Sequence, residues 1–280
     1  MLAVLLALAA SSSWGLADFL GGLKSRSLPV PLVLLAVEGT GLALVLAVIA
    51  LTGEPLPAAR TVLLSLGAGA AGITALGCFY RALAIGTMGV VAPVSATGVA
   101  LPVVVGILTG DALSTVVSLG LALTVVGVLL ASREEPHGDA ARVAASRASI
   151  ALALVAALGF GAYFVAADVA ADDSVLWLLA VSRIVAMPVL VPLALRGARG
   201  RLRRADLGPL LLAGTLDVAA TGLYGLATRE GALSIVAVVG GLYPIVTVLL
   251  ARVVLGERLQ RLQAAGVAAA LAGVVLIAAG

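Results

Sequence analysis

Glu38, Arg183 and Asp217 each stand inside a long apolar stretch of this sequence, where an ionisable side chain finds no water. Placing one there costs about 2.5 to 3.5 kcal/mol on insertion scales, so each is a candidate functional group. An acid and a base in such surroundings have two uses. They neutralise each other as an ion pair that staples helices, or they hold the amine and the carboxylate of a zwitterion separately. Asp217 also begins the row Asp217, Thr221, Tyr224, Thr228, whose spacings of four, three and four put all four on one helical face. Such a stripe either faces a cavity or hydrogen-bonds a neighbouring helix. Trp14 and Asp18 lie one turn apart with Ser11 on the same face, and Asp18, near the end of its run, is an interfacial aspartate or a carboxylate within the first span. A thinner row, Thr74, Cys78 and Arg81, ends in an arginine placed to snorkel towards water.

These residues need elements to position them, and the composition says which. Of 280 residues 62% are hydrophobic and 11% charged, against roughly 25% charged in a soluble domain. With a mean hydropathy of +1.22 there is too little polar surface to cover a globule in water. Apolar runs of about 20 residues punctuated by Gly, Pro or charge read as membrane spans, and ten emerge. They cover approximately 2–21, 30–51, 62–84, 88–109, 112–131, 149–167, 174–195, 207–228, 232–254 and 259–279. No strand-like alternation interrupts them, so the expected class is an all-α integral membrane protein. The first run lacks a basic leader and reads as a span, not a cleaved signal. The only recognisable polar linkers are 132–148 and 196–206, and Asp168, Asp172 and Asp173 read as solvated loop residues.

The chain matches itself at an offset of about 145. Ala36-Val37 overlays Ala180-Val181, and Gly69, Gly77 and Gly86 overlay Gly214, Gly222 and Gly231. Gly110-Asp111 overlays Gly256-Glu257, while Gly120 and Gly127 overlay Gly266 and Gly273. The expected organisation is a first five-helix repeat over 1–131, a linker over 132–148 and a second repeat over 149–280. An odd number of spans per repeat makes the second copy enter from the opposite side, which is inverted-repeat architecture with a binding site near the midplane. In the same alignment Val37-Glu38-Gly39 overlays Val181-Ser182-Arg183, so the acid and the base fall one residue apart on opposite halves.

Trp14-Gly15, Ala82-Leu-Ala-Ile-Gly86, Pro244 running to Gly256-Glu257, and the closing Gly266 to Gly273 pattern form an ordered set across both repeats. In that set the chain resembles EamA-type members of the drug/metabolite transporter superfamily. The resemblance implies a ten-helix carrier for small metabolites, often moving amino acids or related compounds outward. It further implies that spans one to four and six to nine line the cavity while five and ten pack peripherally. There are two departures from it: Asp111 stands at the first-half counterpart of Glu257, and an arginine common in the second span is absent.

Helix breakers recur in corresponding places, Pro93 and Pro102 in span four and Gly240, Gly241 and Pro244 in span nine. Paired breaks point to a binding region where unwound backbone offers its dipoles, or are plain packing kinks. Pro188 and Pro192 bend span seven near Arg183, and Gly266, Ala270 and Gly273 make a small-residue face suited to helix packing or to a homodimer. Other signals are set aside. Gly67 to Gly72 spells G-x-G-x-x-G with no strand before it, Asp168 to Asp172 is a single copy of a prenyltransferase-like motif, and His137 is isolated. The cluster from Arg196 to Arg204 anchors a loop or contacts anionic lipid and is not a nucleic-acid site. A single cysteine excludes an internal disulfide, the absence of asparagine excludes N-glycosylation, and no metal or cofactor is expected.

The expectation is thus a non-enzymatic secondary transporter in the cell membrane, with a small-molecule substrate, lipid contacts and proton coupling through Glu38, Asp217 or Asp18. Glu38, Arg183, Asp217, Thr221, Tyr224 and Tyr243 form its polar lining and Trp14 and Tyr163 its aromatic walls. The alternatives are an uptake carrier or uncoupled facilitator for a sugar or neutral metabolite and, from another class, an intramembrane lipid-modifying enzyme. Lys and Arg crowd the loops on one side, which by the positive-inside rule puts both termini outside, whereas the resemblance implies cytoplasmic termini.

Overall fold

The structure, a computed structural model, describes residues 1–109, 114–131, 140–171, 173–197, 202–230, 239–240 and 242–279. Among the described residues every regular element is helical. In chain order they are α1 (Leu2–Ser25), α2 (Val30–Thr52), α3 (Ala59–Ile85), α4 (Met88–Ala96) and α5 (Ala100–Thr109). They continue as α6 (Thr115–Ala131), α7 (Ala140–Ala171), α8 (Val175–Gly197), α9 (Arg204–Glu230), α10 (Tyr243–Val254) and α11 (Arg261–Ala279). Six of these, α1, α2, α3, α7, α8 and α9, are long and apolar enough to cross a membrane, and α6, α10 and α11 are shorter apolar helices. In lipid a helix is the solution in which each segment pairs its own backbone polar groups.

The punctuation residues act locally. Gly53 ends α2 at φ 66°, a left-handed conformation that glycine adopts without a Cβ penalty, and its N–H bonds the Ile49 carbonyl at 2.9 Å. The span read at 88–109 is two helices around a 3-10 turn at Thr97–Val99, with Pro93 inside α4. Pro102 has no N–H for the Gly98 carbonyl, which removes a bond at that turn. Pro244, in contrast, occupies the first turn of α10, where its missing N–H is no loss, so it starts that helix and does not kink it. Pro188 and Pro192 stay inside α8.

Two boundaries move outward from the sequence reading. α7 begins at Ala140, within the stretch read as linker, because the alanine-rich segment there has high helix propensity. α1 runs on to Ser25, which places Asp18 well inside the helix and away from its end. Asp111, Asp172, His137 and Gly241 lie outside the described residues, as do the side chains of Pro102, Asp168 and Thr228.

Contacts between helix ends fix the direction of the chain. At one end, which carries Arg196, Arg203, Arg204 and Arg261, Lys24 pairs with Asp206 at 2.8 Å and Arg26 with Glu257 at 2.7 Å. Glu257 also accepts the Gly89 N–H at the start of α4 at 3.1 Å. At the opposite end Ser174 donates to Glu54 at 2.8 Å, and Asp173 accepts from the Ala58 N–H and the Thr61 hydroxyl at 2.9 and 2.8 Å. Those two bonds hold the exposed Asp173 carboxyl below the usual carboxylate range, the Ala58 N–H being the larger cause. It was read as merely solvated; it caps the start of α3. Thus α1 ends, α4 and α9 begin, and α10 ends at the basic end, while α2 and α7 end and α3 and α8 begin at the other.

The principal packed pairs are α1 with α9, α3 with α7, α2 with α8 and α6 with α11, followed by α3 with α8, α2 with α9, α1 with α10 and α4 with α7. Phe19, Val33, Phe79, Leu83, Met88 and Leu210 belong to the largest buried cluster, and Phe79 meets Phe160 edge-on at 5.8 Å. Leu5, Leu51, Leu63, Leu108 and Val253 stand on the exterior, a surface fitted to hydrocarbon. Glycines permit the closest crossings. A Cβ on Gly69 would sit 2.6 Å from the Ser182 backbone on α8, and one on Gly214 would sit 2.6 Å from the Val37 carbonyl on α2. Gly120 and Gly127 abut Gly273 and Gly266 in the same manner, so the small-residue face of α11 is spent inside the chain on α6.

Gly214→Val is therefore expected to push α9 off α2 and to destabilise the protein by roughly 1–3 kcal/mol, because the obstacle is backbone and cannot yield. Gly208→Val, on the same helix with open space around the new Cβ, is the control and should leave thermal unfolding in detergent almost unchanged. Equal midpoints for the two variants would refute the close-contact account.

Candidate functional site

Among the described residues Arg183, on α8, is the most deeply buried charge, 6% exposed. Its Nη2 donates to Asp217 Oδ2 at 2.6 Å and its Nη1 to the Leu179 carbonyl one turn back at 3.3 Å. Its Nε lies 3.8 Å from Glu38 Oε2, close enough for an ion pair and too far for a hydrogen bond, so that N–H is buried without an acceptor. The Glu38 and Asp217 side chains are 13% and 33% exposed. The expected acid–base pair is therefore present, but the closer partner is Asp217, supplied by α9.

Room for the guanidinium comes from Gly41, one turn after Glu38 on α2. A Cβ there would lie 2.6 Å from Arg183 Nε and 3.0 Å from Val218. Sequence reading missed this residue, although a glycine at i+3 from a buried acid is the signal that would have found it.

A second group of side chains gathers on α1, α9 and α10. Trp14 meets Tyr224 at 5.6 Å between ring centroids and Tyr243 at 6.4 Å, and Gly240 backs onto the Tyr224 ring. These tilted and edge-on arrangements are the favourable ones for aromatic pairs. Asp18 lies one turn along α1 from Trp14 and is half-buried. Tyr163 on α7 lies over Gly72 of α3. Tyr80 was not singled out in the sequence, yet it is 1% exposed, its ring packed over Gly21 of α1. A tyrosine preceding the Arg81 of the α3 row was the available signal.

Not every expected residue joins. Thr221 turns its hydroxyl back to the Asp217 carbonyl at 3.1 Å. Thr74 and Arg81 are exposed, Thr74 bonding the Ala70 carbonyl at 2.8 Å, while Cys78 between them is half-buried against the core, so the α3 row does not act as one face. Pro93 is buried in α4, and Pro244 is buried in the first turn of α10. The glycine-rich run from Gly67 to Gly72 is interior to α3, which leaves it no phosphate-binding turn.

An ion group thus joins α2, α8 and α9, and an aromatic group joins α1, α9 and α10, with α9 common to both. Such a centre can hold a small polar molecule by charge and ring contacts, and its acids can carry protons. Residues 147–279 match the family model of the EamA-like transporter family, part of the drug/metabolite transporter superfamily, as the motif resemblance anticipates. A crystal structure of another protein aligns over 98% of this chain and 96% of its own at 15% identity, with a TM-score of 0.66, and so shares the fold. No curated protein matches the chain. The family match supports a membrane transporter of small molecules, and the apolar helices a multi-pass membrane protein.

Arg183→Met is expected to destabilise the protein by about 3–5 kcal/mol, because it strands Glu38 as a buried, uncompensated charge. Adding Glu38→Gln should recover a large part of that loss. If denaturation of both variants in mixed micelles shows the same loss, the two side chains are not coupled.

Proposed function

We propose that this chain, an EamA-like transporter over its second half, is a secondary carrier that exports small metabolites by alternating access, with amino acids and related amines as the expected class. In this reading ten spans form two inverted five-helix repeats, α4 and α5 together making the fourth span and residues up to the end of α10 the ninth. The observation that carries the proposal is the position of the Arg183 centre: Glu38 comes from the first half, Arg183 and Asp217 from the second, and the centre lies within the helices, away from their ends. A site shared between two halves is what a rocking motion can expose to either side.

Two further features support the repeats. α1 ends at the basic end whereas α7 ends at the opposite one, so corresponding helices run in opposite senses. An offset of 145 relates Gly69 to Gly214, and the same offset relates the residues they touch, Val37 to Ser182 and Thr40 to Val185. In that register Glu38 and Arg183 are direct equivalents, where the sequence alignment had left them one residue apart.

Alternating access also needs ties that close one end while the other opens. Lys24–Asp206 and Arg26–Glu257 join the halves at the basic end, and Glu54–Ser174 and Thr61–Asp173 join them at the other. A carrier working this way breaks one set at a time. Coupling to protons would run through a site carboxylate, Glu38 first and then Asp217 or Asp18. The basic end faces the cytoplasm of the cell membrane by the positive-inside rule, with both termini outside.

Cells expressing the wild type should accumulate specific compounds in the medium that cells expressing an equally abundant, membrane-inserted Arg183→Ala variant do not. Enrichment inside the cells would reverse the direction to uptake, and unchanged pools would sink the carrier reading. Glu38→Gln should abolish pH-gradient-driven transport; full retention would exclude Glu38 as the coupling group. A reporter active only in the cytoplasm, fused after Gly280, should stay silent, and a signal would reverse the proposed orientation.

A further inference from the structure

The basic end holds more positive charge than its acids can answer. Among the described residues two acids stand there, Asp206 and Glu257, and α1 engages both: Lys24 pairs with Asp206 at 2.8 Å and Arg26 with Glu257 at 2.7 Å. Asp206 also accepts the Arg203 N–H, and Glu257 the Gly89 N–H, each at 3.1 Å. Arg252 lies in the last turn of α10, Arg258 in the connection and Arg261 at the start of α11. Their side chains are exposed and take part in no hydrogen bond or ion pair among the described residues. Three neighbouring cations on one turn thus lack a counter-charge from the described protein.

The turn that carries them is firmly held. Gly256 reverses the chain at φ 67°, and the Leu255 and Glu257 N–H groups both bond the Ala251 carbonyl, at 3.1 and 3.3 Å. Glu257 is tied to α1 and to α4, Leu259 packs on Gly89, and the Gln260 N–H donates to Gln263 Oε1 at 3.2 Å. A ligand therefore need not order this backbone in order to bind. Beside the arginines stand apolar side chains: Val253 and Val254, 80% and 57% exposed, follow Arg252, and Leu262, 44% exposed, follows Arg261. α10 packs on α1 and α4 and α11 on α6 and α4, and these three residues lie on the outer faces left over. Guanidinium groups alternating with bare hydrocarbon at the ends of two apolar helices fit the level where acyl chains give way to headgroups. A soluble anion would leave the valines and the leucine in water. A phospholipid satisfies both kinds of side chain, its phosphate meeting the guanidinium groups and its acyl chains the hydrocarbon.

We propose that the turn between α10 and α11 binds an anionic phospholipid, with Arg252, Arg258 and Arg261 on its phosphate and Val253, Val254 and Leu262 against its acyl chains. The site is separate from the segment from Arg196 to Arg204, whose charges the sequence alone offers as a lipid contact. It requires a bilayer and nothing of the carrier reading, and it holds whichever way the chain is oriented. The bound headgroup supplies the negative charge that this end lacks, next to the Arg26–Glu257 pair that ties the turn to α1.

Native mass spectrometry of the full chain, titrated in detergent with phosphatidylglycerol or with phosphatidylcholine of the same acyl chains, reads the affinity for the first lipid bound. Phosphatidylglycerol is expected to bind at least about ten-fold more tightly. Replacing Arg252, Arg258 and Arg261 together by Gln should bring the two lipids to within about two-fold of each other, and replacing all three by Lys should keep most of the preference. Should the triple Gln variant not fold, each single replacement is expected to lower the preference by about two- to three-fold. The matched control removes the same charge from the same end, through Arg196→Gln, Arg203→Gln and Arg204→Gln, and should leave the preference as in the wild type. Equal affinities for the two lipids in the wild type would overturn the proposal and leave the three arginines as topological anchors. An equal loss in the control would overturn it in favour of the diffuse field of the whole end. Inorganic phosphate, added at the concentration of the lipid, should displace none of it; displacement would make the site one for a free anion and not for a lipid.

Discussion

A guanidinium inside an apolar bundle has to be neutralised by protein, and the arrangement of α2, α8 and α9 follows from that requirement. Arg183 reaches Asp217 and Glu38 because α2 lies against both α8 and α9, and the long side chain of Arg183 spans the distance to Asp217 on α9. Their approach depends on residues with no side chain: Gly41 makes space for the guanidinium, Gly214 lets α9 lie on the backbone of α2, and Gly69 lets α3 lie on that of α8. A buried ion group of this kind adds little to stability compared with an apolar replacement of the same shape, and it is far more sensitive to the loss of one partner. Its retention in a chain with only 11% charged residues is thus more economically explained by work at the site than by stability.

Much of this was legible in the sequence, because the solvent makes the signals strong. Apolar runs become helices where lipid offers the backbone no other partner, and ionisable residues within them are few enough to single out. Glu38, Arg183 and Asp217 were found that way, and Tyr224 and Tyr243 both pack against Trp14. What escaped was partnership. Internal repetition relates α2 to α8, so it suggested Glu38 for Arg183; it says nothing of α9, whose Asp217 is the nearer acid. Tyr80 was hidden because a lone tyrosine in a hydrophobic helix carries no charge to flag it, although it is nearly inaccessible and packed over Gly21. Asp173 stands exposed as expected, but its place in the sequence did not show that a carboxylate at a foreign helix N-terminus satisfies donors that the helix itself cannot.

The helix breaks illustrate how one residue type serves different ends. Pro93, the turn at Thr97–Val99 and Pro102 interrupt a span midway, while Pro244 begins a helix. The bundle nevertheless places the two regions against equivalent neighbours. Gly15 on α1 abuts the Tyr243 carbonyl and Val246, and Gly161 on α7 abuts the Gly98 carbonyl and Leu101, residues 145 positions earlier. Backbone can come this close to backbone only where a Cβ is missing, so both interfaces needed glycine whatever the helices on the other side looked like.

Set on this near-symmetric scaffold, the chemistry is one-sided. Trp14 against Tyr224 joins α1 to α9, and the corresponding contact between α3 and α7 is Phe79 against Phe160. One interface carries an indole, a phenol and two carboxylates; at its counterpart two hydrocarbon rings stand where Trp14 and Tyr224 do, Phe79 buried in the core and Phe160 packed against it, with the Tyr163 phenol over Gly72. The Glu38–Arg183 pair is likewise a single place in the repeat filled by opposite charges in the two halves. Two identical halves could not do this, since a position repeated across a twofold carries the same charge twice and repels itself. In the inverted-repeat reading proposed above, divergence of the two halves removes that restriction: equivalent helices keep equivalent neighbours, and the side chains differ so that the Glu38 acid meets the Arg183 base.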